Sequence, residues 1–274
     1  MKKFQTSDGL NLAYDDQGTG LPVLCLSGLT RNSNDFNFLV PHMADVRMIR
    51  MDYRGRGASD YDENRENYAV PVEARDALEL LDHLGLKQAA IIGSSRGGMI
   101  AMVLAMTAKQ RLLGVLLNDI GPELDSKGLE LIAGYLGRRP AYKTLAEAAA
   151  DRANQLQGFD NIPYERWLAE VTGQFIETDT GLDIRYDPKL RDAVLASLGP
   201  DSPDLWPFFD AMAGLPLALL RGENSDLLTA ETAAKMKQRR PDMIFSDVAD
   251  RGHIPFLDEL ESLKVIREWL DEMA

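Results

Sequence analysis

Short apolar runs alternate along the chain with longer segments in which apolar residues recur every three to four positions. Lys3 to Thr6 and Leu10 to Tyr14 read as two strands joined by Ser7-Asp8-Gly9, a turn sequence that closes hairpins. A buried strand follows at Val23 to Leu26, then a turn at Ser27-Gly28. A helix is predicted from Ser33 to Met43, with Phe36, Leu39 and Val40 at helical spacing, and a strand from Arg47 to Met51. The helix predicted over Val72 to Leu84 ends at Gly85, where a C-terminal glycine cap belongs. The rhythm continues with strand Ala89 to Ile92, helix Gly97 to Thr107, strands Gly114 to Asn118 and Leu217 to Leu220, helix Ala230 to Gln238, strand Met243 to Asp247 and a last helix from Leu257 to Met273. Such alternation predicts an α/β fold: a mostly parallel sheet of about eight strands with helices on both faces.

Between Gly121 and Ala213 the rhythm fails. Lys127 to Leu136, Thr144 to Leu156, Tyr164 to Phe175 and Leu190 to Leu198 read as helices, with no buried strand among them. Residues 1–120 and 214–274 are therefore expected to form the core, and residues 121–213 an inserted helical cap above the carboxyl ends of the strands, where open α/β sheets bind ligands.

The strongest local motif is Gly93-Ser94-Ser95-Arg96-Gly97, a G-x-S-x-G between a predicted strand and a predicted helix. A tight turn of that kind lifts the central hydroxyl clear of the sheet, and the glycines remove side chains that would collide. Ser95 is the candidate nucleophile; Ser94 is excluded because centring the motif on it would need glycine at Ile92 and Arg96. A serine needs a base to take its proton. Of the three histidines, His42 and His83 fall on predicted helices as surface or packing residues. His253 stands in Arg251-Gly252-His253-Ile254-Pro255, between the last strand and the last helix.

The acid that orients the base is expected on another loop at the same end of the sheet. Asp226, in Arg221-Gly222-Glu223-Asn224-Ser225-Asp226, fits best; Glu223 is a weaker alternative, and Asp119, which ends the strand before the insertion, a more serious one. Amides of Leu29 and Arg96 are the candidate oxyanion donors, although the Ser27-Gly28 turn also reads as purely structural. The loop Asp52 to Asp60, rich in Gly and Arg, is expected to brace the elbow. Trp167, Phe175, Trp206, Phe208 and Phe209 are candidate substrate contacts, each with cap packing as its alternative.

Composition narrows the partners. The 274 residues carry a formal charge of -13, which disfavours a nucleic-acid partner, and 45% hydrophobic against 27% charged residues is the balance of an ordinary globular chain. The single cysteine, Cys25, sits in an apolar run and reads as a small buried hydrophobe. No segment from the basic Met1-Lys2-Lys3 onward has the apolar core of a signal peptide, and the longest apolar run, Met99 to Met106, is far below the ~20 residues of a membrane span. A cytoplasmic location and a small-molecule substrate, with neither membrane nor metal nor organic cofactor, are the expectations; a homodimer is left open.

Together these motifs resemble the α/β-hydrolase superfamily, specifically its capped esterase, lactonase and carbon-carbon hydrolase branch. The resemblance covers nearly the whole chain. It rests on Ser27-Gly28-Leu29, Asp52-Tyr53-Arg54-Gly55-Arg56-Gly57, Gly93-Ser94-Ser95-Arg96-Gly97-Gly98, Arg221-Gly222-Glu223-Asn224-Ser225-Asp226 and Gly252-His253, in order. Two positions depart from the family's habit: Ser27 stands where a histidine is usual, and Arg96 where an apolar residue is usual. The Arg96 guanidinium either pairs with Asp119 or Asp52 as scaffold or faces the pocket to bind a substrate carboxylate.

The resemblance implies hydrolysis of a small or medium carboxylic ester or lactone by a catalytic triad, through an acyl-enzyme. The alternatives are carbon-carbon or enol-lactone hydrolysis with the same triad, and a slow-turnover ligand-binding protein on the same fold. Dehalogenase or epoxide hydrolase chemistry resembles a branch with aspartate at the elbow centre, which Ser95 argues against.

Overall fold

In the computed structural model, which describes residues 1–197 and 203–274, the predicted strands join into one sheet. Its members are β1 (Lys2–Gln5), β2 (Asn11–Gln17), β3 (Leu21–Leu26), β4 (Val46–Met51), β5 (Ala89–Ser94), β6 (Leu112–Asn118), β9 (Leu217–Gly222) and β10 (Ile244–Val248), in the order β1-β2-β4-β3-β5-β6-β9-β10. The β1–β2 and β2–β4 pairs are antiparallel and the rest parallel.

The helices of the core are α1 (Val70–His83), α2 (Arg96–Ala108), α8 (Ala230–Arg239) and α9 (Leu260–Asp271). Period-two alternation sends side chains to both faces of the sheet: Leu24 and Ile91 pack with Leu80 of α1 and Ile100 and Leu104 of α2, while Val23, Cys25, Ala90 and Ile92 pack with Val265, Ile266 and Trp269 of α9. With both faces covered, every residue of β5 and β9 is buried, as central strands of an α/β sheet require. Helix α1 ends as its sequence predicts. Gly85 adopts φ 68°, its N–H donates to the Asp82 carbonyl and the Leu86 N–H to the Leu81 carbonyl, the two bonds of a Schellman cap.

Two expectations need correction. Residues 33–43 do not form an α-helix; they make two 3-10 turns, Ser33–Phe36 and Val40–His42. Pro41 lacks an N–H and disfavours helical backbone at Val40, so the helix cannot propagate, although Phe36 and Leu39 are fully buried as their spacing predicts.

The segment between β6 and β9 carries α3 (Ser126–Tyr135), α4 (Leu145–Gln155), α5 (Tyr164–Gln174), α6 (Leu190–Ser197) and α7 (Trp206–Asp210), and also a hairpin of β7 (Phe175–Thr178) and β8 (Gly181–Ile184) that the helical reading did not contain. The expected end of α6, Leu198, lies outside the described residues. The hairpin escapes a search for buried runs because β7 is largely exposed.

The inserted segment is tied to the core by polar contacts. Asn32 Nδ2 donates to the Gly173 carbonyl at 2.7 Å, the Tyr68 hydroxyl to Asp187 at 2.6 Å, the Gly57 N–H to the Arg185 carbonyl at 3.0 Å and the Asp187 N–H to the Gly55 carbonyl at 2.8 Å. Among the described residues, no helix is long and apolar enough to cross a membrane.

Candidate active site

The elbow follows from the glycines around it. Ser95 sits at φ 50°, ψ -114°, between β5 and α2, a conformation a non-glycine residue holds only when its surroundings enforce it. A Cβ on Gly97 would come within 2.0 Å of the Leu26 carbonyl oxygen, and one on Gly93 within 2.6 Å of Gly97 and Gly98 backbone atoms. Strand and helix therefore approach more closely than any side chain permits, and the turn is forced at Ser95.

His253 completes the first expected pair: its Nε2 lies 2.9 Å from Ser95 Oγ. Asn118 braces both sides of this contact from β6, its Nδ2 donating to Ser94 Oγ at 3.0 Å and to the Pro255 carbonyl at 3.1 Å.

The carboxylate that the structure places beside His253 is that of Asp119, the alternative candidate, and not that of Asp226. His253 Nδ1 lies 2.7 Å from Asp119 Oδ2, whereas Asp226 is exposed on the cavity wall. Asp119 follows β6 at φ 54° and is fully buried. Its Oδ1 accepts the Gly222 N–H at 2.8 Å and its Oδ2 the Ser225 hydroxyl at 2.6 Å, so the buried carboxylate is fully engaged, as burial of a charge demands. The loop after β9 thus supplies donors that hold the Asp119 carboxylate. Sequence reading missed Ser225, because a serine beside an aspartate carries no local signal of that task.

The register explains the exchange. Ser94 of β5 lies opposite Asn118 of β6, and Asn118 opposite Leu220 of β9. Ser95 and Asp119 are each one residue beyond those partners, with the Ser95 N–H donating to the Asn118 carbonyl at 3.0 Å and the Asp119 N–H to the Leu220 carbonyl at 2.7 Å.

Gly28 approaches Ser95 closely, a Cβ on it falling 3.9 Å from the Ser95 Cβ. Leu29 follows in the same loop, and among the described residues no acceptor takes its N–H. Arg96 opens α2, where an N–H has no partner within the helix. The loop is held from behind: the Tyr53 hydroxyl donates to the Ser27 carbonyl at 3.0 Å and Arg56 Nε to the Leu29 carbonyl at 3.0 Å. The hydroxyl of Ser27, the residue that stands where the family usually carries a histidine, is buried with no partner among the described residues.

The Arg96 side chain is scaffold, but with a different partner from those expected. Its Nε donates to Glu73 Oε2 at 2.6 Å and its Nη2 to the Tyr68 carbonyl at 2.8 Å, and Arg56 pairs with the other oxygen of Glu73 at 2.8 Å. Burial alone raises the Glu73 pKa, yet the two guanidiniums outweigh it and hold the carboxyl below its ordinary value. The loop expected to brace the elbow is linked to Arg96 through Arg56 and Glu73, while its Arg54 is buried among Asp8, Asp62 and Asp76 and its Asp52 accepts the Ser33 and Ala58 N–H groups. Of the remaining sequence candidates, His42 is exposed and His83 contacts the Tyr14 hydroxyl at 3.2 Å. Cys25 is fully buried, and burial pushes its thiol up to about 12.

Above Ser95 and His253 opens a cavity of about 1550 Å³ between core and inserted segment, whose lining includes Leu29, Ser95, Trp167, Phe175 and His253. Trp206, Phe208 and Phe209, expected as substrate contacts, are not part of its lining. Phe209 is fully buried in the core cluster that includes α2, with Trp206 and Phe208 packed against it. The Trp206 ring meets Phe209 edge-on, and its Nε1 donates to Glu123 at 2.8 Å.

Comparison with known proteins agrees with this architecture. The alpha/beta hydrolase fold family matches residues 22–260. A 3-hydroxybutyrate-oligomer hydrolase of Cupriavidus necator is 32% identical over 256 residues, covering 89% of this chain and 87% of that one. A 2-(acetamidomethylene)succinate hydrolase of Mesorhizobium japonicum is 25% identical over 267 residues, covering 96% and 92%. The crystal structure of an alpha/beta hydrolase from Novosphingobium aromaticivorans superposes with a TM-score of 0.92 at 36% identity, over 100% of this chain and 98% of that one. The chain belongs to the α/β-hydrolase family.

Proposed function

We propose that this hydrolase is a serine esterase acting through an acyl-enzyme, with Ser95 as nucleophile, His253 as base and Asp119 as the orienting acid. The observation that carries this reading is the unbroken chain from Ser95 Oγ through the His253 ring to the buried Asp119 carboxylate, at 2.9 and 2.7 Å. Asp119 holds a proton on Nδ1, which leaves Nε2 free to accept the Ser95 proton as Oγ bonds to the carbonyl carbon. The carbonyl π pair moves to oxygen, and the resulting oxyanion accepts the Leu29 and Arg96 N–H groups. Collapse breaks the carbon–oxygen bond to the alcohol, which takes its proton from His253. Water then gives a proton to His253, attacks the acyl-enzyme, and the second collapse returns the proton to Ser95 and frees the acid.

The ester assignment draws on the Cupriavidus necator relative, whose named substrates, oligomers of 3-hydroxybutyrate, are esters. The inserted segment acts as a cap, with Trp167 and Phe175 on its side of the cavity. Exposure to a fluorophosphonate followed by peptide mapping tests the reading: one adduct on Ser95, absent in Ser95→Ala, together with turnover of a p-nitrophenyl ester, is the expected result. A folded protein with neither adduct nor turnover overturns it and favours the ligand-binding alternative.

A further inference from the structure

The cavity lining includes five cationic side chains, Arg31, Lys127, Arg138, Arg139 and Arg152. Lys127, Arg138 and Arg139 are exposed to solvent. Arg31 is paired with both Asp35 and Glu170. Arg152, half-buried on α4, is different: among the described residues no carboxylate lies within ion-pair distance of it. Its Nη2 donates to Gln174 Oε1 at 2.8 Å, but its Nε is buried without a partner, and so is the Nε2 of Gln174.

Two linked side chains on the wall of the catalytic cavity therefore each keep a buried, unused N–H donor. A buried donor without an acceptor is costly, and a guanidinium without a counter-charge more so. Burial, and after it the charge of Arg31, lowers the Arg152 pKa to about 10, so the group stays protonated near neutral pH while lacking an anion. Glu170 acts on it through space but is engaged by Arg31.

We propose that Arg152 and Gln174 form a carboxylate subsite, so that the ester hydrolysed at Ser95 carries a free carboxylate elsewhere in the molecule. This rests on the serine esterase reading and names its substrate class. A carboxylate in the cavity supplies the counter-charge that Arg152 lacks, which a neutral ester cannot do. Arg96, which follows Ser95 in the chain, is unavailable for this role because Glu73 holds it.

The test compares the linear dimer of 3-hydroxybutyrate with its methyl ester, following cleavage of the internal ester by chromatography, in wild type, Arg152→Gln and Arg152→Lys. Wild type is expected to favour the free acid by about tenfold or more in kcat/KM, mainly through KM, as loss of a charged hydrogen bond implies. In Arg152→Gln the ratio should collapse to near one, with partial recovery in Arg152→Lys. A wild-type ratio near one overturns the subsite without needing any variant to fold, and so does an unchanged ratio in a folded Arg152→Gln. If wild type cleaves neither compound and a fluorophosphonate leaves Ser95 unmodified, it is the esterase reading that has failed; cleavage of the methyl ester without preference sinks the subsite alone.

Discussion

Ser95 and Asp119 each stand one residue beyond a cross-strand pair, Ser94 opposite Asn118, so that neighbouring parallel strands deliver the Ser95 hydroxyl and the Asp119 carboxylate side by side with His253 reaching between them. The relationship is made by strand register, and it has consequences for residues that touch neither substrate nor base.

Ser225 is the first of these. Its hydroxyl donates to Asp119 Oδ2 while accepting the Leu228 N–H at 3.0 Å. Ser225→Ala removes one of the donors that fix the Asp119 carboxylate, and kcat for an ester should fall about 5- to 30-fold with KM nearly unchanged, at a stability cost of about 1–2 kcal/mol. Steady-state kinetics beside a urea melt check both; an effect on KM alone contradicts the positioning role.

Glu73 is the second. It is the only carboxylate among the described residues that pairs with Arg56 and Arg96, and all three are buried. Glu73→Gln leaves two guanidiniums facing each other without compensation, and stability should drop by about 3–5 kcal/mol. Because Arg56 also holds the Leu29 carbonyl, kcat should fall in whatever fraction remains folded. A urea midpoint equal to wild type counts against the buried triad.

Asp35 gives the pH dependence. Burial, opposed by Arg31, raises its pKa to about 6 from an ordinary 3.8. The folded state therefore binds this proton more tightly than the unfolded chain does, and stability is fully present below about 3.8 and lost as pH rises through about 6. The loss is up to about 3 kcal/mol. Thermal melts of wild type and Asp35→Asn across pH 4–7 should show a declining contribution in wild type that the variant lacks; parallel curves would mean the carboxyl is not raised.

The parts of the fold readable in the sequence were those set by local chemistry. Gly93, Gly97 and Gly98 announce the elbow because their missing side chains are a local requirement, and Gly85 marks the end of α1 for the same reason. The central strands β5, β6 and β9 are legible because a strand covered on both faces must be a near-continuous apolar run, and β1 and β2 because Ser7-Asp8-Gly9 marks a hairpin turn. What was not legible depends on distant pairing. Choosing between Asp226 and Asp119 requires knowing that Asn118 lies opposite Ser94, and both acids satisfy the same chain order. Trp206, Phe208 and Phe209 look like pocket aromatics until α7 is seen packed on the core, and the partner of Arg96, Glu73, lies 23 positions away on another helix. Residues 33–43 failed for a local reason that was available, Pro41, which the spacing of Phe36, Leu39 and Val40 outweighed in the reading.

The central claim is the assignment of the acid, and the most direct measurement is p-nitrophenyl ester turnover in Asp119→Asn and Asp226→Asn, with folding verified by circular dichroism. The account predicts that Asp119→Asn loses about 10⁴-fold in kcat through the wrong histidine tautomer, while Asp226→Asn, whose side chain is exposed, keeps kcat within about threefold, the range left for a residue outside the proton relay. An active Asp119→Asn beside a dead Asp226→Asn would contradict it.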